Sequence, residues 1–193
     1  MQPELLIQQV AAGSQQAFRA LYDMYSTRVY NTCLVYLQNA EEAEEATQDV
    51  FIEVHNAAPR FMGKSSVTTW IYRIAVNKSL DRIRYRKRQK RFAYISALFH
   101  ADTGQPVHDP GHFEHPGVLA ENKEKAAKLF AAMSRLPENQ QTAFILKQVE
   151  GLTQKEIAAI MNLGEKAVES LIQRAKANLR KLLAGFLNDN EGN

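Results

Sequence analysis

The sequence predicts an all-α protein built from two small helical domains joined by a flexible linker, and three observations carry that prediction. Apolar residues recur at three- and four-residue spacing along most of the chain, while period-two alternation is almost absent. That periodicity fails between 97 and 117, "ALFHADTGQPVHDPGHFEHPG", where glycines, prolines, acids and four histidines follow one another without pattern. The 193 residues are 45% hydrophobic, enough for one ordinary core or two small ones. The expected boundaries are a first module over 1–95, a linker over 96–117, a second module over 118–188 and a tail over 189–193.

Taken in order, a short helix is expected near 3–12, closed by Gly13, with Ser14 placed to cap the next. The second helix, "QQAFRALYDMYSTRVYNTCLVYLQ", repeats Phe18, Leu21, Tyr25, Val29 and Leu37 on one side. Asn39 ends it or caps a third helix over about 40–57, which stops before Pro59. "FMGKSSV" (61–67) reads as a loop. A long helix follows from Thr68 or Thr69, with Trp70, Ile71, Ile74, Leu80 and Ile83 as its packing residues. After the linker, four further helices are expected. The third of these opens on a capping box, Thr153 with Glu156 three residues on, flanked by the Leu152–Ile157 staple. Gly151 has the character of a left-handed terminator, and "NLG" (162–164) forms the turn into the last helix.

Charge distribution says more than the net charge of +3. "EEAEEATQDVFIE" (41–53) holds six acids and no base, and "RIRYRKRQKR" (82–91) holds seven bases and no acid. On the third helix Glu42, Glu45, Asp49 and Glu53 form a narrow stripe, whose mutual repulsion is relieved if a basic surface covers it. The bland alternative for either block is a solvated helix face, and for the acidic block the two readings balance. The stripe is not a di-iron site: it has no Glu-x-x-His, and His55 stands two residues from Glu53. Near the basic block, Arg73, Asn77, Lys78 and Arg84 add polar groups among Trp70, Tyr72 and Tyr85, a combination suited to melted or single-stranded DNA. Trp70 itself reads more simply as a core residue.

The last helix, wound at 100° per residue, places Val168, Ile172, Ala175, Leu179 and Leu182 inward. Lys166, Ser170, Gln173, Arg174 and Lys181 face out, with Glu169 at their flank. Amide and guanidinium groups on such a face can read base edges while lysines sit on phosphates. The helix pair over 153–176 is either a helix-turn-helix or a plain helical hairpin, and the polar outer face favours the former.

Several classes are excluded or disfavoured. No apolar run approaches the roughly 18 residues of a membrane span, and no signal peptide is visible at the start. Cys33 is the sole cysteine, so no internal disulfide forms, and cytoplasmic residence is the simplest expectation. There is no phosphate-binding glycine loop, no H-E-x-x-H and no Cys-His constellation; no catalytic residue, cofactor or metal is expected. His108, His112 and His115 with Asp109 offer metal-binding groups, but a flexible segment is a poor frame for a closed site.

Together, "AEEATQDVF", "FMGKSSV", "TTWIYRIAVNKSLDRIR" and "LPENQQTAFILKQVEGLTQKEIAAIMNLGEKAVESLIQRAKANLRK" resemble the bacterial RNA polymerase sigma factors of the sigma-70 family, in the extracytoplasmic-function group. The resemblance covers nearly the whole chain outside the linker and the ends. It implies a sigma-2-like helical bundle and a sigma-4-like helix-turn-helix domain. Glu42, Glu45, Gln48, Asp49 and Glu53 would dock on the polymerase core. Lys64, Ser65, Ser66, Val67, Arg73, Asn77, Lys78, Arg84, Arg86 and Lys87 would capture and hold the −10 element. Lys166, Glu169, Ser170, Gln173, Arg174, Lys176 and Lys181 would read the −35 element. The implied partners are core polymerase, promoter DNA and an anti-sigma protein, with the chain itself a monomer not inserted in a membrane. Val67 stands where the family often has a bulky aromatic, and Glu169 and Leu171 where some members have arginines, so no base code is carried over. The rival reading is a helix-turn-helix regulator that acts without docking on polymerase.

Overall fold

The computed structural model describes residues 2–99 and 123–188. Among them are eight α-helices and no strand: α1 Pro3–Ala11, α2 Gln15–Leu37, α3 Ala40–Ala57, α4 Val67–Phe99, α5 Lys123–Ser134, α6 Glu138–Gln148, α7 Gln154–Met161 and α8 Glu165–Asn188. A single 3-10 turn, Ala58–Arg60, carries Pro59 between α3 and the loop before α4. The linker histidines and the tail lie outside the described residues.

Local chemistry sets most of the helix ends. Ser14 caps α2 by accepting the Ala17 amide, and Asn39 caps α3 by accepting the Glu42 amide at 2.8 Å. Gln38 ends α2 in the left-handed conformation, so the chain reverses in two residues. Ser66 Oγ accepts the Thr69 amide, the same capping geometry at the start of α4. The Thr153–Glu156 capping box is complete, with Glu156 accepting from the Thr153 amide at 2.8 Å. Gly151, at φ +67°, makes the sharp turn ahead of it, and Asn162, at φ 54°, closes α7.

Those caps orient amphipathic faces inward onto one cluster of buried residues. Leu6, Ile7, Leu21, Val29, Val50, Val54 and Ile71 supply it from α1–α4, and Met133, Ile145, Leu146, Ile157, Val168 and Ile172 from α5–α8. Cys33 lies in the α1–α4 part, where burial pushes its thiol up and leaves it a small apolar filler. Trp70 packs against Phe61, ring centroids 5.0 Å apart, as a partly buried core residue.

Two features differ from the sequence-based expectation. Helix α4 runs on to Phe99, past the boundary placed at 95, because its basic stretch is made of good helix formers with no glycine or proline to stop it. And the two modules are not merely tethered: α4 packs on α7, and polar contacts from α2 and α4 reach across to α5, α6 and α7.

The capping box supplies the first test. Hydrogen bonds from the Thr153 amide and then its hydroxyl hold the Glu156 carboxyl below its usual range. A depressed carboxylate contributes stability above its unfolded pKa and loses it as pH falls through the folded one. Thr153→Ala is expected to destabilise the C-terminal module by about 1 kcal/mol, with a smaller deficit in acid than at neutral pH, read by chemical denaturation at several pH values.

Candidate nucleic-acid and polymerase interfaces

The stripe on α3 is not left alone with its own repulsion. Arg86 pairs with Glu42 at 3.4 Å, Arg82 with Glu45 at 2.9 Å and with Asp49 at 2.8 Å, and Lys78 with Glu53 at 3.5 Å. Bases spaced by four on α4 therefore meet acids on α3 in reverse order, an antiparallel charge zipper. Burial alone would lower the Arg82 guanidinium, but hydrogen bonds to Glu45 and Asp49 outweigh it and hold it above its usual range. The cover that the acidic stripe needs is thus supplied within the chain. The stripe nonetheless keeps an open edge: Glu45 is 67% and Asp49 45% exposed at the side chain, and Gln48 is exposed beside them. Ile52, on the same edge, is an exposed apolar residue.

The residues expected at the −10 element divide into five situations. Lys64, Asn77 and Lys87 are exposed, and Ser65 is half-buried in the loop. Ser66 is exposed and spends its hydroxyl on the α4 cap. Lys78 and Arg86 are engaged in the zipper. Arg73 donates to the Ala159 carbonyl of α7, and Arg84 to Glu138 of α6 and Asp81 of its own helix. Val67 is fully buried as the first residue of α4, so a DNA contact through its side chain would cost its place in the core. Beside the zipper, and sharing Asp49, Lys78 and Arg82 with it, an open concavity is also lined by Asp81, Arg84, Lys87 and Arg88, with Tyr85 exposed among them. A groove in which basic side chains outnumber acidic ones and an aromatic face is open suits a nucleic-acid backbone with bases to stack.

On α8 the two faces fall as the helical period requires. Val168, Ile172, Ala175 and Leu179 are buried, and Lys166, Glu169, Ser170, Gln173, Arg174 and Lys181 are exposed, with Lys176 half-buried. Arg174 is braced by Ser170, whose Oγ lies 2.9 Å from its Nη2. Asn178, further along, donates to Gln140 of α6 at 2.8 Å and so fixes α8 on the module. The arrangement, a capped helix, a left-handed turn and a second helix with a polar outer face, is a helix-turn-helix.

Residues 21–89 match the family described as Sigma-70 region 2, and residues 126–179 the one described as Sigma-70, region 4. The ECF RNA polymerase sigma factor SigW of Bacillus subtilis is 32% identical over 181 residues, 92% of this chain and 94% of that one. The chain belongs to the extracytoplasmic-function sigma factors of the sigma-70 family. The ECF RNA polymerase sigma-E factor of Escherichia coli is 29% identical over 90% of each chain. Among solved structures the fold is shared with CnrH, in complex with the cytosolic domain of CnrY, at TM-score 0.68 and 22% identity, covering 94% of this chain and 97% of that one. It is shared too with the RpoE of Bartonella quintana in complex with the anti-sigma factor NepR, at TM-score 0.63 and 19% identity, covering 86% and 96%. This sigma factor is a transcription initiation factor that directs RNA polymerase core to promoters; it is not an enzyme. No helix among its described residues is long and apolar enough to cross a membrane.

Two groups escaped sequence reasoning. Arg82 belongs with Lys78 and Arg86 at four-residue spacing, and that spacing, set against Glu53, Asp49 and Glu42, was a legible sign of the zipper. Glu150 carries no local sign at all, since every group it meets through its side chain is far away in sequence.

Proposed function

We propose that this sigma factor docks on polymerase core through the exposed edge of α3, Glu42, Glu45, Gln48, Asp49 and Glu53. The −10 element is held by the loop at Lys64 to Ser66 and by Arg73, Asn77, Lys78, Arg84, Arg86 and Lys87 of α4. The −35 element is read by Lys166, Glu169, Ser170, Gln173, Arg174, Lys176 and Lys181 of α8. The observation that carries this division is that one chain holds two separate polar, cation-bearing faces, one in each of its sigma-70 regions, with carboxylates still open at the edge of α3. The functional units are the modules 1–95 and 118–188 with the linker 96–117 between them. The chain works as a monomer in the cytoplasm, where its polymerase and promoter are, and an anti-sigma protein, like the NepR bound to the Bartonella quintana RpoE, restrains it.

The deciding experiment joins core binding to run-off transcription from a pool of promoters. The chain should bind core polymerase and initiate at a subset of promoters, while the chain alone binds duplex DNA weakly. That weak binding should fall with salt at a log–log slope of about −0.9 for each phosphate neutralised. A chain that binds core yet initiates nowhere in a broad pool would overturn the promoter assignments; failure to bind core would overturn the docking surface.

A further inference from the structure

The second half of α4 stands clear of the core that anchors its first half. Among the described residues its last packing side chains are Leu80 and Ile83. From Arg84 to Arg91 every residue is exposed except Arg86, which is held by Glu42 and the Leu37 carbonyl. Arg84 is tied to Glu138, so the free remainder is Tyr85 and residues 87–91. A bare helix is about 10–12 Å across, close to the width of the major groove of duplex DNA. Charge alone would let this segment track any phosphate backbone.

One pair on it does more than carry charge. Gln89 Nε2 donates to Tyr85 Oη, one turn back, at 2.8 Å. Tyr85 is 56% exposed, and among the described residues no ring or guanidinium covers its face. The bond holds an exposed amide that would otherwise lose rotamer freedom only on binding. It leaves Gln89 its carbonyl oxygen and a second N–H, an acceptor and a donor side by side. That fork matches the N6 amine and N7 of adenine on the major-groove edge. The same device stands on α8, where Ser170 braces Arg174 at the same four-residue spacing. By helical rotation Arg86 and Arg88 fall about 80° to either side of the Tyr85–Gln89 pair, where the walls of a groove would be.

We propose that this end of α4 is a duplex-reading helix: it enters the major groove between the −10 and −35 elements and selects an A·T pair there through Gln89. Tyr85 is the positioning residue that holds the amide, and Arg88 and Lys90 sit on phosphates. Gln89 stands about 33 Å along the helix axis from Val67, so it meets DNA outside the segment that the loop at Lys64 to Ser66 holds. The chain continues from this end to the module assigned to the −35 element, which makes the spacer the DNA within reach. The inference rests on the assignment of α4 to promoter DNA and adds to it a third point of sequence choice.

The test uses the chain assembled with core polymerase. The complex selects from a duplex library randomised over the −10 element and the spacer, and bound members are counted by sequencing. Wild type should enrich adenine at one spacer position by about 5-fold or more, the discrimination a bidentate pair supplies. Gln89→Ala should flatten that position and leave the −10 choice intact. Tyr85→Phe, which keeps the ring and removes the brace, should flatten it in part. Lys90→Ala should weaken all members alike. All three side chains are exposed, so the variants should fold as wild type does. A wild type without spacer preference, or a preference that survives Gln89→Ala, overturns the proposal. So does a preference kept in Tyr85→Phe and lost in Tyr85→Ala while Gln89→Ala is silent, which would make Tyr85 a stacking platform. Asn77→Ala separates the two levels: if it flattens the −10 choice while the spacer shows none, only the spacer reading falls. If neither Asn77→Ala, Gln89→Ala nor Lys90→Ala alters selection, the assignment of α4 to DNA falls with it.

Discussion

Asp49→Lys should weaken binding to polymerase core by about 10-fold or more while leaving helicity and melting temperature nearly unchanged. The loss follows from placing a base on a surface that a basic partner must approach, where like charges in juxtaposition cost several kcal/mol. The fold should tolerate it because the Asp49 side chain is 45% exposed and its pairing with Arg82 is shared with Glu45. The zipper makes a sharper comparison available. Arg82→Ala removes the base that occupies Glu45 and Asp49, leaving both carboxylates to an outside partner. If the edge of α3 docks on core, Arg82→Ala should bind core as well as wild type or better, moving opposite to Asp49→Lys. If the stripe serves only to pin α3 to α4, both variants should lose a little stability and neither should change core affinity once folded. Titration against core polymerase, with thermal unfolding alongside, separates the two.

The zipper also shows which parts of the molecule were readable beforehand. Helix starts at Ser14, Asn39 and Thr153 were legible because a cap is a contact over three residues, written in adjacent letters. The two faces of α8 were legible because a single helix fixes them by rotation alone. The position of the acidic stripe was legible; its partner was not. Repulsion among Glu42, Glu45, Asp49 and Glu53 demands a cover of positive charge, but whether that cover is another protein or another helix is decided by how α3 and α4 cross. Val67 illustrates the same boundary from the other side. Loop composition suggested an accessible residue, yet the start of α4 falls one residue earlier than expected and turns that side chain into the core. Glu150 marks the limit, since its meaning lies wholly in Thr32 and Tyr72, 118 and 78 residues away.

Core docking and DNA contact bear on one another through α4. Lys78, Arg82 and Arg86 look toward α3, while Arg73 and Arg84 look toward the other module. The helix is thus committed on two sides in the free chain, and its exposed remainder, Lys87, Arg88 and Tyr85, is what a DNA strand can reach first. A polymerase that engages the α3 carboxylates would release the zipper bases for a DNA backbone.

On α8, substitutions should separate reading from holding. Arg174 is exposed and braced by Ser170, which presents its guanidinium fork in a fixed orientation, the geometry that a guanine edge accepts bidentately. Arg174→Ala should therefore cost about 1–3 kcal/mol at the preferred −35 base pair and relax the choice there, with little change at unrelated sequences. Lys181→Ala should weaken all duplexes alike and reduce the salt slope by about 1, since an ammonium on a long stem recognises phosphate and not sequence. Glu169 is the informative third case. It is exposed on the same helix, one residue before Ser170, with no ion pair among the described residues to account for it. A carboxylate facing bases accepts from a cytosine amine and repels phosphate. Glu169→Ala should accordingly tighten binding to random duplex slightly while erasing a preference at one −35 position. Binding to a −35 library, sequenced before and after selection, decides the matter: an unchanged preference would leave Glu169 as solvated surface, and a flattened one would make it a specificity residue alongside Arg174.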